Sequence, residues 1–219
     1  MKIILKNVTK RIGTNEVLTE VNAEFESGRV YGITGRNGSG KTMLLRVIAG
    51  LLRPTMGEIL VDDGAENSVG NPPKRLYKDL EVIPKLGIVL ENAGLYPEFS
   101  GYQNLKFLAG INKLVGEAKI RETIERVGLD PNDKRSIRKY SLGMRQRITL
   151  AQAIMEKPDV LLLDEPTNAL DETGVELLYK IVREEKERGA LVILVSHTRN
   201  DIQAVCDCEM KMRSGKLAF

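Results

Sequence analysis

Hydrophobic positions recur along this chain in two rhythms, and the order in which the rhythms alternate predicts its elements. Val17, Val21, Ala23 and Phe25 are apolar between the polar Glu16, Glu20, Asn22 and Glu24, which is the period of a strand with one wet face. Residues 1–8 are also strand-like, and Gly13-Thr14-Asn15 supplies turn chemistry, so the chain opens with an antiparallel hairpin. Ser27-Gly28 then turns it into a short apolar strand, 30–34, followed by a helix-compatible stretch, 43–51, that Arg53-Pro54 stops. Residues 58–61 read as another short strand ending at Asp62-Asp63-Gly64, and 65–80 as a polar, proline-containing loop. A buried-type strand at 86–90 leads into a loop with Pro97, after which 102–111 and 117–127 carry helical periodicity. Ser141 is placed to cap a helix running to about Met155, closed by Pro158. Two strand-helix units follow: strand 159–163 with helix 171–188, then strand 190–195 with a helix near 201–205. Such alternation predicts an α/β fold with a largely parallel sheet covered on both faces.

The length of 219 residues suits one α/β domain, and 42% hydrophobic with 29% charged residues is ordinary for a globular chain. The net charge of +3 arises from 33 basic and 30 acidic residues, a balance that argues for no nucleic-acid partner. The basic residues Lys134, Arg135, Arg138 and Lys139 read as a solvated face. No apolar run is long enough to span a bilayer and the N-terminus lacks a signal-peptide layout, so a cytoplasmic location is expected. Cys206 and Cys208, one residue apart, are expected to be buried free thiols rather than a disulfide or a zinc site.

Candidate chemistry begins at Gly35-Arg36-Asn37-Gly38-Ser39-Gly40-Lys41-Thr42, a phosphate-loop pattern in the strand-loop-helix context it requires. Glycines at 35, 38 and 40 permit turns closed to residues with a Cβ, so that successive N–H groups converge on phosphate oxygens at a helix N-terminus. Lys41 would reach the β- and γ-phosphates of ATP and the Thr42 hydroxyl would ligate Mg²⁺.

The apolar run 160–163 ends in Asp164-Glu165, two carboxylates at the sheet edge where ligands of open α/β sheets bind. Asp164 suits a Mg²⁺ ligand, and Glu165 a base that polarises the attacking water. His197, the single histidine, follows the next apolar strand and could donate to the γ-phosphate. Tyr140-Ser141-Leu142-Gly143-Met144 puts a hydroxyl and a glycine at a helix start, a second anion site that one nucleotide cannot easily share with the first. Two copies facing each other would resolve this, each lending its Ser141 helix to the ATP of the other.

The phosphate loop, the Ser141-Leu142-Gly143-Met144 signature, 161–167, Asn168-Ala169-Leu170-Asp171 and Ser196-His197 together resemble the ATP-binding-cassette ATPase family over essentially the whole chain. The resemblance implies a single domain over 1–219, with a core lobe at about 1–91 and 156–219 and an inserted helical subdomain at about 92–155. It also implies a head-to-tail dimer around two ATP molecules, a coupling position at Glu91 that can touch Mg²⁺, and a dimer-facing loop at Asp171. Within the family, Glu91 to Pro97, Gly101 to Leu105 and the signature are most similar to bacitracin-resistance and lantibiotic-immunity exporters, whose ATPase subunits act beside a separate transmembrane permease at the cytoplasmic face. A soluble clamp of DNA repair or translation is the rival reading. It would need a long coiled-coil insertion or a second cassette, and neither is in the sequence. Three positions depart from the common pattern: Glu91 stands for Gln, Tyr140 and Leu142 stand for Leu and Gly, and Ile12 sits where an aromatic commonly stacks on adenine.

Overall fold

A computed structural model describes residues 1–63, 72–90 and 94–218. In chain order the elements are β1 (Lys2–Ile12), β2 (Asn15–Glu26), β3 (Val30–Thr34), α1 (Lys41–Ile48), β4 (Met56–Asp62), β5 (Lys74–Arg75), β6 (Leu86–Val89), α2 (Gly101–Asn112), α3 (Glu117–Arg126), α4 (Leu142–Ile154), β7 (Val160–Asp164), α5 (Glu172–Glu187), β8 (Leu191–Val195), α6 (Arg199–Val205), β9 (Cys208–Arg213) and β10 (Lys216–Ala218). A short 3₁₀ turn at Ile137–Lys139 precedes α4.

The opening hairpin follows from its alternation. β1 and β2 pair antiparallel with Ile3 opposite Phe25, Leu5 opposite Ala23 and Val8 opposite Val21, so the apolar faces of both strands coincide. β4 joins β1 on its other side, and the two-residue β5 extends the edge, giving a four-stranded sheet ordered β2-β1-β4-β5. β5 falls in the stretch read from sequence as loop.

The second sheet is ordered β10-β9-β3-β8-β7-β6 and is parallel except at β10. Every residue of β3, β7 and β8 is buried, which is why these strands are unbroken apolar runs without polar alternation. Successive side chains serve two cores. Val160, Leu162 and Ile193 pack towards Leu44, Leu45 and Phe25, whereas Leu161, Leu163 and Leu194 pack towards Ile148, Leu178 and Ile202. The sequence reading does not include β9 or β10, and Cys206, just before β9, and Cys208, its first residue, are half-buried rather than buried. Burial pushes the Cys206 thiol up to about 12.

Among the described residues from 94 to 155, all regular structure is helical. α2 starts at a capping box, in which Ser100 Oγ accepts from the Gln103 N–H at 3.3 Å and Gln103 Oε1 accepts from the Ser100 N–H at 2.9 Å. α3 is fastened to α5 by ions: Arg126 donates to Glu184 at 2.7 Å and to the buried Glu185 at 3.0 Å, and Glu185 also accepts from Arg188 at 2.6 Å. Arg135 and Arg138 of the basic segment pair with Asp133 and Glu98, which absorbs those two charges locally. No helix among the described residues is long and apolar enough to cross a membrane.

Candidate functional site

The loop between β3 and α1 is shaped by close approach on both sides. A Cβ on Gly35 would lie 2.5 Å from the Met212 carbonyl of β9, and one on Gly40 would lie 2.7 Å from the Val17 carbonyl of β2. Gly38 and Gly40 also have φ of +77° and +109°, a region that side chains disfavour, and Gly40 is the residue from which α1 starts. Ser39 is buried, with an Oγ that has no partner among the described residues. Lys41 is buried to 7% exposure and turns back on the loop, its Nζ donating to the Gly35 carbonyl at 2.8 Å and lying 3.8 Å from Glu165 Oε1. This lysine satisfies itself on groups that surround an anion site, so an entering phosphate replaces backbone carbonyl contacts with charge-assisted ones.

β7 and β8 end side by side, with Asp164 opposite Val195. Asp164 is 3% exposed and closes the floor of the site. Glu165 follows in the left-handed region at φ +47°, with its N–H held by the Val195 carbonyl at 2.9 Å. That conformation is costly for a residue with a Cβ and belongs to the class of local strain found at functional positions. Glu165 Oε2 accepts the His197 backbone N–H at 3.2 Å and lies 2.7 Å from His197 Nδ1.

Of the residues singled out in the sequence, Asn37, Gly38, Gly40, Lys41, Thr42, Asp164, Glu165 and His197 line one cleft of about 550 Å³. Gly35 and Ser39 lie on the far side of the same loop. Backbone N–H groups, the N-terminus of α1 and Lys41 can hold phosphates there. The donor set also suits Mg²⁺: Thr42 offers a hydroxyl and Asp164 a carboxylate, both hard oxygens. No cluster of three or more His, Cys, Asp or Glu that could hold a metal exists among the described residues. Mg²⁺, which keeps several waters, would complete its shell there from phosphate, water and any ligand beyond the described residues.

Ser141, Gly143 and Asp171 do not line this cleft. Ser141 is exposed and caps α4, its Oγ accepting from the Met144 N–H at 3.2 Å. A Cβ on Gly143 would meet the Ala169 carbonyl at 2.8 Å. Asp171 caps α5 through the Gly174 N–H at 3.0 Å and pairs with Arg147 of α4 at 2.8 Å. Those two contacts, the backbone bond first, hold its carboxyl below the usual range. Glu91 lies outside the described residues. Ile12 is half-exposed at the hairpin end and does not line the cleft, whereas Val17, Met43 and Arg46 do. No sequence motif marks these three as site residues, although Arg46 follows Thr42 by four residues, the spacing that shares a helix face.

Residues 18–168 match the ABC transporter family. The chain is 44% identical to YybJ, an ABC transporter ATP-binding protein of Bacillus subtilis (strain 168), covering 96% of this chain and 92% of that one. It is 33% identical to the bacitracin transport ATP-binding protein BcrA of Enterococcus faecalis, over 97% of this chain and 66% of that one. It is 32% identical to the lantibiotic transport ATP-binding protein SrtF of Streptococcus pyogenes, over 97% and 87%. The fold superposes on the dimeric bacterial ABC transporter cassette MJ0796 with a TM-score of 0.82 at 26% identity, covering 98% and 96% of the two chains. It also superposes on a dimeric post-hydrolysis state of MJ0796 bound to ADP and Pi, with a TM-score of 0.83 at 25% identity and the same coverage.

Proposed function

Because this chain belongs to the ABC transporter family as an ATP-binding, ATP-hydrolysing subunit, we propose that it drives a separate transmembrane permease from the cytoplasmic face and that the cargo is an exported antimicrobial peptide or drug, the peptide being favoured. The observation that carries the catalytic part is the single cleft shared by Lys41, Thr42, Asp164, Glu165 and His197. In this reading the loop amides and Lys41 hold the β- and γ-phosphates. Glu165 takes the proton of the attacking water, and His197 donates to the phosphoryl group as charge develops on it. Thr42 and Asp164 would hold Mg²⁺, which when bound neutralises phosphate charge, and Glu91 would complete that side of the site.

Ser141, Gly143 and Asp171 stand apart from the cleft and serve a second copy. Two chains head to tail would place the α4 N-terminus of each against the ATP of the other, with residues 92–155 as the helical subdomain and 1–91 with 156–219 as the core lobe. BcrA and SrtF, whose names give bacitracin and lantibiotic transport, support the cargo class.

The test is affinity purification of the tagged chain from native membranes, followed by replacement of the chromosomal copy with Glu165→Gln. A copurifying integral membrane protein and lowered tolerance to bacitracin or a lantibiotic are expected. Absence of any such protein rejects the transporter role, and unchanged tolerance to both peptide classes rejects the cargo.

A further inference from the structure

Asp201 lies in the first turn of α6, 4% exposed, and has no part in the chemistry above. Its carboxylate collects hydroxyl donors from three separate segments. Oδ2 accepts from Thr167 Oγ1 at 2.8 Å and from Ser196 Oγ at 2.6 Å, and Oδ1 accepts from Tyr179 Oη of α5 at 2.6 Å. Ser196 Oγ in turn accepts the Thr198 N–H at 3.0 Å. Thr167 stands two residues after Glu165, and Ser196 stands immediately before His197. One oxygen atom therefore joins the loop that carries the base to the loop that carries the histidine.

We propose that Asp201 is a positioning residue, which through Thr167 and Ser196 sets the spacing between Glu165 and His197. The proposal rests on the catalytic reading of that pair. The pair itself reaches solvent: the His197 side chain is 54% exposed and Glu165 17%. At that exposure the imidazole is held chiefly through Glu165 and the backbone behind it. That backbone is pinned from within. Ionised acceptors make short, strong hydrogen bonds to hydroxyls, and a buried network of this kind defines one arrangement of its members. An apolar side chain at 201 would fill the space at less desolvation cost, yet it would leave the two loops free to slide against each other.

Tyr179 anchors the same carboxylate to α5, and burial followed by the Asp201 hydrogen bond pushes its phenol up, so the hydroxyl stays a donor. Asp201 is thus fixed by a helix on one side and fixes two loops on the other. Displacements of about 1 Å at a reacting group cost on the order of a hundredfold in rate, so a loosened loop should be felt in turnover well before it is felt in nucleotide binding.

The decisive variants are Thr167→Val, which keeps the shape and removes the hydroxyl, and Thr167→Ser, which keeps the hydroxyl. In the purified chain Thr167→Val should lower kcat for ATP by about tenfold or more, leave KM within about twofold, and leave the melting temperature near that of the parent. Thr167→Ser should restore kcat. Thr167→Val added to Asp201→Asn should cost no more than Asp201→Asn alone, as expected for members of one network. A second readout needs no turnover: His197 is the only histidine, so its ring signals in NMR should shift in Thr167→Val and stay in place in Thr167→Ser. Wild-type kcat in Thr167→Val, equal losses in the two Thr167 variants, or unmoved histidine signals would overturn the proposal. A parent chain without ATPase activity would instead reject the catalytic reading, with the NMR comparison still deciding whether the two loops are tied.

Discussion

His197 Nδ1 lies 2.7 Å from Glu165 Oε2, and the same oxygen accepts the His197 backbone N–H at 3.2 Å. An ionised Glu165 requires the imidazole proton on Nδ1, which leaves Nε2 of a neutral ring as an acceptor. The ring cannot then donate to a phosphoryl oxygen through Nε2 unless it gains a second proton or releases Glu165. ATP binding should therefore part the two side chains, freeing the carboxylate for water and the ring for phosphate. Glu165→Gln is expected to lower turnover by roughly 10²- to 10⁴-fold while retaining ATP, because Gln keeps the shape but cannot accept the proton. ¹⁵N NMR of the single histidine in the parent chain, with and without a non-hydrolysable ATP analogue and Mg²⁺, should show the ring changing tautomer or protonation. A ring state indifferent to nucleotide would refute the exchange of partners.

Tyr77 provides a separable test of how α1 is held, and α1 carries Lys41 and Thr42. Its phenol proton is shared between the Val47 carbonyl at 2.7 Å and the Leu52 carbonyl at 2.8 Å, at the end of that helix. Burial pushes the phenol from its ordinary value of 10.0 up to about 12, and a phenolate there would face two carbonyl oxygens. A raised folded-state value means that the neutral form stabilises the fold. The contribution is whole below pH 10 and is lost as pH rises towards about 12. Tyr77→Phe should cost about 1–2 kcal/mol at neutral pH, since it leaves carbonyls without their donor. Urea denaturation of both proteins should show this difference constant to pH 10 and shrinking above it, and a difference that widened with pH would contradict the assignment.

Among the described residues no aromatic side chain lines the cleft, and Val17, Met43 and Arg46 are the lining left for a base once the phosphate-binding and carboxylate groups are assigned. Ring stacking of roughly 0.5–1.5 kcal/mol is thereby forgone. A guanidinium can lie flat on either purine, so Arg46 offers contact without selecting adenine. ATP and GTP should accordingly compete within about tenfold of each other, and Arg46→Ala should weaken both. A preference for ATP beyond about a hundredfold, ~3 kcal/mol, would show that discrimination arises elsewhere.

What could be read from the sequence follows the physics of each segment. β3, β7 and β8 are buried on both faces and announce themselves as apolar runs, and the phosphate-loop glycines mark positions where a Cβ has no room, at Gly35 and Gly40, or where φ is positive, at Gly38 and Gly40. β9 carries a period of two, with Met210 and Met212 buried between Glu209, Lys211 and Arg213, but six residues that begin at one of the two cysteines are too few to stand out. β5 has only two residues, so no period exists to be read. Motifs also brought Glu165 and His197 under suspicion separately. Their contact depends on the register that sets Asp164 opposite Val195, 31 residues away, and no local pattern encodes that. Arg46 was missed for the opposite reason: its signal is local, but it falls outside the motif that drew attention to the loop.

Ser141 has two possible roles, and they can be separated by one substitution. It caps α4 through the Met144 N–H at 3.2 Å, yet it is exposed and does not line the cleft of its own chain. If capping were its whole task, any good cap would serve, and Asp caps a helix about as well as Ser. If the α4 N-terminus meets the γ-phosphate of a second copy, a carboxylate there would oppose the charge it should receive. Ser141→Asp should therefore leave the melting temperature near that of the parent and the ATP affinity of the single chain within about twofold, a change of ~0.4 kcal/mol. In the Glu165→Gln background it should abolish the ATP-dependent dimer. Light scattering after size exclusion, with ATP and Mg²⁺ in the buffer, reads the dimer directly. Persistence of that dimer in the double variant would confine Ser141 to its own helix, and the two anion sites would then have to be explained within one chain.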